Sequence, residues 1–178
     1  NVDKVKDMGL KDFKIDSDTI LTVNGDNRSS ELTIGKTVDT DNAAVFDTYT
    51  GNGVLVEVYL NDAKADTISS IVVVKTQVMK ISAVRSNEVT FKTANTDMKG
   101  NVKNSIAAVK DSDDIWNDVK GLKADDIVLV VPLTTDNGST YTADSVIVPQ
   151  TVTGSLTNVK VKAKNNEVNG VTVAGTAY

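Results

Sequence analysis

The sequence predicts a mainly β protein built of two tandem small modules, each a barrel of the oligonucleotide/oligosaccharide-binding type or a sandwich, each with one short helix. Three observations carry that reading. The apolar fraction is 40% but aromatics are only 4%, so the apolar mass is Val, Ile and Leu interleaved with Thr, the composition of half-buried strands. Strand-like strings recur. Leu21-Thr22-Val23, Val89-Thr90-Phe91 and Val171-Thr172-Val173 read as one strand, and Ser70-Ile71-Val72-Val73 stands 75 residues before Ser145-Val146-Ile147-Val148. A helical pattern recurs too, with Asp41, Val45, Phe46, Tyr49 and Gly51 standing 70 residues before Asp111, Ile115, Trp116, Val119 and Gly121. A period this long exceeds a solenoid rung and fits a small folded module copied in tandem.

Taken in order, Lys4 to Phe13 reads as a short helix, and Thr19 to Val23 as a strand closed by the Asn24-Gly25 turn. Glu31 to Lys36 reads as a shorter strand. Around Val45 and again around Ile115 the pattern is a helix of one or two turns, opened by an Asp that can accept backbone hydrogen bonds and ended by glycine. Phe46 and Trp116 are its core plugs. Each helix is followed by two strands, Val54–Leu60 with Ser70–Lys75, and Ile127–Leu133 with Ser145–Pro149. The first of each pair also matches at an offset of 73, aligning Val56 with Leu129. A long strand from Gln77 to Val84 is echoed by Val152 to Lys162, and Val102 to Val109 is a further candidate. From Thr76 to Gln150 the order is strand, strand, strand, helix, strand, strand, the connectivity of a five-stranded Greek-key barrel. The modules divide as 1–75 and 76–178. The second ends in a hairpin, 151–178, that reads as part of a third repeat and is expected to augment the second module. The junction at Lys75-Thr76 holds neither Gly nor Pro, which predicts a stiff connection.

Charge and residue types exclude whole function classes. A net charge of −5 with a pI near 4.7 argues against nucleic acid, whose binding rests on clustered Lys and Arg. There is no histidine and no cysteine, which removes the usual general base, the commonest metal ligand and thiolate chemistry. No Ser-Lys or carboxylate pair sits in a recognisable catalytic motif, so the reading is non-enzymatic. No run is long enough for a membrane-spanning helix. Alternating carboxylates make calcium the ion to consider. Asp39, Asp41, Asp111 and Asp113 are the candidates, with Asp16 and Asp18 beside them, although none completes a twelve-residue calcium loop and helix capping with turn solvation is the favoured reading of them. Tyr59 and Tyr141 are the candidates for stacking a sugar. Asn27-Arg28-Ser29 and Asn137-Gly138-Ser139 fit the glycosylation pattern.

Three strings carry a more specific likeness. The segment Gly121-Leu122-Lys123-Ala124-Asp125-Asp126-Ile127-Val128 is the first. The strands Thr151-Val152-Thr153-Gly154 and Val171-Thr172-Val173-Ala174-Gly175-Thr176-Ala177-Tyr178 are the others. Together they resemble repeats of Gram-positive bacterial surface proteins that carry S-layer homology domains. The likeness spans most of residues 40–178. It departs at Gln77-Val78-Met79-Lys80, which stands where the second copy has Val152-Thr153-Gly154-Ser155, and the helical wall-anchoring domain is not among these residues. The resemblance implies an extracellular segment of a cell-wall or S-layer protein, acting as a spacer or lattice unit. Its partners would be neighbouring copies of the same protein, or wall polysaccharide. A carbohydrate- or protein-binding adhesion module, or an accessory domain of a secreted hydrolase, is the alternative.

Overall fold

A computed structural model describes residues 9–49, 51, 53–94, 105–110, 113–161 and 168–178. The chain is mainly β, with three sheets and two short helices among those residues. Residues up to Val148 form one compact unit, and Pro149–Tyr178 form another.

The first unit holds two sheets. In one, β1 (Lys14–Val23), β2 (Asp26–Asn27), β3 (Val54–Leu60) and β4 (Thr67–Lys75) lie in the order β2-β1-β4-β3, with β1 and β4 parallel and the other pairs antiparallel. The helix α1 (Ala43–Thr48) plugs this sheet with Val45 and Phe46, followed directly by Tyr49, which is 2% exposed. Ile15, Leu21, Ile68 and Ile71 complete that core. In the other sheet, β5 (Gln77–Arg85), β6 (Glu88–Thr93), β7 (Ile106–Val109), β8 (Ile127–Leu133) and β9 (Thr142–Ile147) lie in the order β7-β6-β5-β8-β9, every ladder antiparallel. β7 and β9 come side by side running the same way, so the sheet curls into a nearly closed barrel. α2 (Trp116–Val119) follows β7, and Val119 is fully buried with Ile81, Phe91 and Val130. This is the strand order expected of a five-stranded Greek-key barrel. Each such fully buried side chain contributes about 1.5–3 kcal/mol.

The second unit is a three-stranded sheet of its own, β10 (Leu156–Val161), β11 (Val168–Val173) and β12 (Thr176–Ala177), in chain order. Its strands hydrogen-bond with one another, β10 with β11 and β11 with β12.

The repeat is visible in strand register. β5 meets β6 through Ile81↔Phe91, Ala83↔Thr90 and Val84↔Val89, while β10 meets β11 through Leu156↔Val173, Asn158↔Thr172 and Val159↔Val171. Every pair is displaced by the same 75 and 82 residues, and both ladders slip by one residue at the same place, between Ile81 and Ala83 and between Leu156 and Asn158. The β1–β2 turn recurs as well. Thr22↔Asn27 and Val23↔Asp26 become Thr172↔Ala177 and Val173↔Thr176. The turn residues keep their φ angles, 51° and 82° in Asn24-Gly25 against 50° and 84° in Ala174-Gly175. These are the left-handed angles of a two-residue hairpin turn.

Several expectations are corrected. The 73-residue match puts Val56, which packs on the first core, against Leu129, whose neighbours Val128 and Val130 are, with Pro132, the buried residues of β8. A slip of one residue reverses the faces of a strand, so this match aligns composition rather than position. The strand expected at Glu31–Lys36 is instead a 3-10 turn at Ser29–Glu31 followed by turns. The Asn42 side chain takes that backbone, accepting from Thr33 N–H (2.7 Å) and donating to the carbonyls of Thr33 and Thr37. Asn42, not Asp41, is also the residue that opens α1, and it makes no capping bond there. Of the helix expected at Lys4–Phe13, residues 1–8 lie outside the described residues, and the remainder is a turn closed by Phe13 N–H to Leu10 C=O. Of the candidate strand Val102–Val109, residues 102–104 lie outside the described residues, and Ile106–Val109 is the strand β7.

Candidate functional site

Polar side chains converge where the two sheets of the first unit meet. The meeting is built from two Asn-Gly turns. Asn24-Gly25 closes the β1–β2 hairpin, and Asn137-Gly138, with φ angles of 57° and 85°, lies in the loop between β8 and β9. Asn24 is 3% exposed, so each of its polar groups needs a partner. Its backbone N–H donates to Val73 (2.8 Å) and its carbonyl accepts from Thr134 N–H (3.0 Å). Its side-chain Nδ2 donates to the Lys75 carbonyl (2.8 Å), while Oδ1 accepts from the Lys75 N–H (2.6 Å). One residue thus ties the end of β4, at Val73 and Lys75, to the loop beyond β8.

The glycine beside it has no alternative. A Cβ on Gly25 would collide with the Thr134 carbonyl, and its φ of +82° is unfavourable for any other residue. Asn27 N–H donates to Asn137 Oδ1 (2.8 Å), so the asparagines of both glycosylation patterns meet in this joint. Thr76 N–H donates to the Gly53 carbonyl (2.8 Å), tying the connecting residue itself.

The receiving loop is ordered by Asp136. Its carboxylate accepts from the Thr134 hydroxyl (2.6 Å), from the Thr140 hydroxyl (2.6 Å) and from Thr140 N–H (2.8 Å). Those donors, the Thr134 hydroxyl first, hold its pKa at about 2. Beneath the turn lies a charged chain. Arg28 Nε donates to Asp26 Oδ2 (2.7 Å), Arg28 reaches Glu31, and Tyr49 Oη donates to Glu31 Oε2 (2.9 Å). Burial, then the Glu31 carboxylate, pushes the Tyr49 phenol up, so it stays protonated and remains a donor. Tyr141 packs against the second core with its phenol toward Asp26 and Arg28, and burial raises its pKa too.

The other candidates are dispersed. Tyr59 lies on β3, 52% exposed, opposite Ser70. Asp39 accepts from the Thr37 hydroxyl (3.2 Å), Asp41 faces Lys36 (3.7 Å), and Asp113 accepts from Val109 N–H (2.6 Å). Asp111 lies outside the described residues. Asp16 and Asp18 both hold Lys64 Nζ, at 2.8 and 3.2 Å. Among the described residues, no three acidic side chains gather as a metal cage requires, and no helix is long and apolar enough to cross a membrane. An open pocket of about 360 Å³ lies on the barrel beside Lys80, Lys92 and Asp125, where Lys80 and Asp125 already form an ion pair.

Sequence reading placed the Asn24-Gly25 turn but not its partner. The signal is in the sequence, since Asn137-Gly138 is the same dipeptide as Asn24-Gly25 as well as the start of a glycosylation pattern. Comparison with protein-family models, with curated proteins and with solved structures gives no match to the chain.

Proposed function

We propose that the chain is a non-catalytic structural module of a bacterial cell-surface protein of the S-layer type, acting outside the cell as a spacer or as part of an array. The observation that carries this reading is the joint. The five-stranded barrel type offers ligands the loop between its fourth and fifth strands. Here that loop, Thr134 to Tyr141, is occupied by the turn of the preceding sheet. A loop used to seat the neighbouring module transmits position rather than recognising a ligand. The charged groups below it are matched to one another, and burial with pairing makes such a network a fixed element. Both features suit a spacer that must hold its parts in register.

The alternative, a carbohydrate-binding module, needs aromatics sharing one exposed face. Tyr59 and Tyr141 do not share one, because Tyr141 packs at the joint and Tyr59 sits across from Ser70. Immunogold labelling of intact cells with an antibody to this chain, with and without calcium in the medium, tests the proposal. A continuous surface layer is expected. Label confined to the cell interior overturns it, and loss of the layer on calcium removal would assign a metal to the assembly.

A further inference from the structure

We propose that the segment Val152–Val161 of one chain completes the first sheet of a second copy, adding an antiparallel strand along the outer edge of β3. The proposal rests on the array-forming part of the reading above and names the contact that would build the array.

The barrel supplies the template. Its first strand, β5, pairs on one side with β6 and on the other with β8, through Gln77↔Val130, Val78↔Leu129, Met79↔Val128 and Lys80↔Ile127. β10 and β11 reproduce the β5–β6 half of this arrangement down to the slipped residue. Among the described residues, the half that would meet a β8 has no paired strand. Val152–Ser155, the counterpart of Gln77–Lys80, belongs to no strand. On β5 the inward residues are Gln77, Met79 and Ile81. Their counterparts are Val152, Gly154 and Leu156, and Val152 is 51% and Leu156 60% exposed.

The first sheet has the complementary gap. Like β8 it has a strand after its helix, β3, but among the described residues nothing pairs with the outer edge of β3, since the sheet ends there. Leu55 (56%), Tyr59 and Leu60 are exposed along it. An exposed, apolar edge strand is a template for another chain. Strand addition would set Val152 and Leu156 beside Val54, Val56 and Val58, the partly buried residues of β3. Charge favours a second copy as the occupant. Residues 149–178 carry three Lys and one Glu, whereas residues 9–75 carry eleven acidic and six basic side chains. Because donor and acceptor are different surfaces, the contact is head-to-tail and propagates instead of stopping at a dimer.

Sedimentation of the full chain from micromolar to near-millimolar concentration tests this. The mass is expected to rise continuously past the dimer, and Val152→Asp with Leu156→Asp to weaken association at least about tenfold without moving the melting temperature. The edge itself is read by cross-linking, which the absence of cysteine makes clean. Chains carrying Ser155→Cys, mixed with chains carrying Leu55→Cys and oxidised, are expected to give mixed dimers several-fold above an Ile34→Cys control. Monomers at every concentration, or an intrachain link in the monomeric double variant, overturn the proposal. Association with cross-linking no better than the control also overturns it, while leaving the array reading with a different interface.

Discussion

Asn24 commits its amide, its carbonyl and both ends of its side chain to the joint, and it does so from a left-handed backbone that asparagine tolerates better than most residues. Asn24→Ala strips two bonds from the buried Lys75 peptide and places alanine at a φ of 51°. An unmet buried polar group costs about 1–3 kcal/mol, so a loss of about 2–4 kcal/mol is expected in urea denaturation, read as a lower midpoint. Asp136 gives a pH signature. Its pKa is held at about 2 against an ordinary 3.8. A carboxyl depressed in the folded state stabilises that state above its unfolded value, and the contribution fades as pH falls through the folded value. Asp136→Asn is therefore expected to lower the melting temperature at pH 7, with the gap from the parent closing between about pH 4 and pH 2. A gap of constant size would show that the carboxylate does not order the loop.

Among the elements, the same position of the repeat is buried in one copy and exposed in the other. Ile81 is 1% exposed and its register counterpart Leu156 is 60% exposed. Ile81→Ala is expected to cost about 2–5 kcal/mol, and Leu156→Ala to stay within about 0.5 kcal/mol, both measured on dilute, monomeric chain. Equal costs would mean that the hairpin is covered in the monomer. Most strands and the Phe46 plug were legible because they follow period and apolar content. Trp116, expected to plug the second core, is only partly buried against it, and Ile115 with Val119 fills that place. Val45 and Ile115, or Tyr49 and Val119, occupy corresponding buried places. What could not be read was anything decided by a distant side chain. The strand expected at Glu31–Lys36 has suitable residues, but Asn42 captures its backbone. The 73-residue match failed because Val, Leu and Ile alternate so little in β8 that composition hides which face is inward.

For the molecule as a whole, the joint was legible only in part. The lack of Gly or Pro at Lys75-Thr76 predicts a stiff connection, but the bonds at the joint run between residues 51 and 110 positions apart, which no local pattern reveals. The central claim is that these bonds hold the two sheets of residues 9–148 in one orientation. Electron–electron spin resonance on a dilute chain labelled at Glu57→Cys and Lys92→Cys, one strand position on each sheet, measures it directly. The account predicts a single narrow distance that broadens when Asn24→Ala is added. A broad or multiple distribution in the parent chain would contradict it.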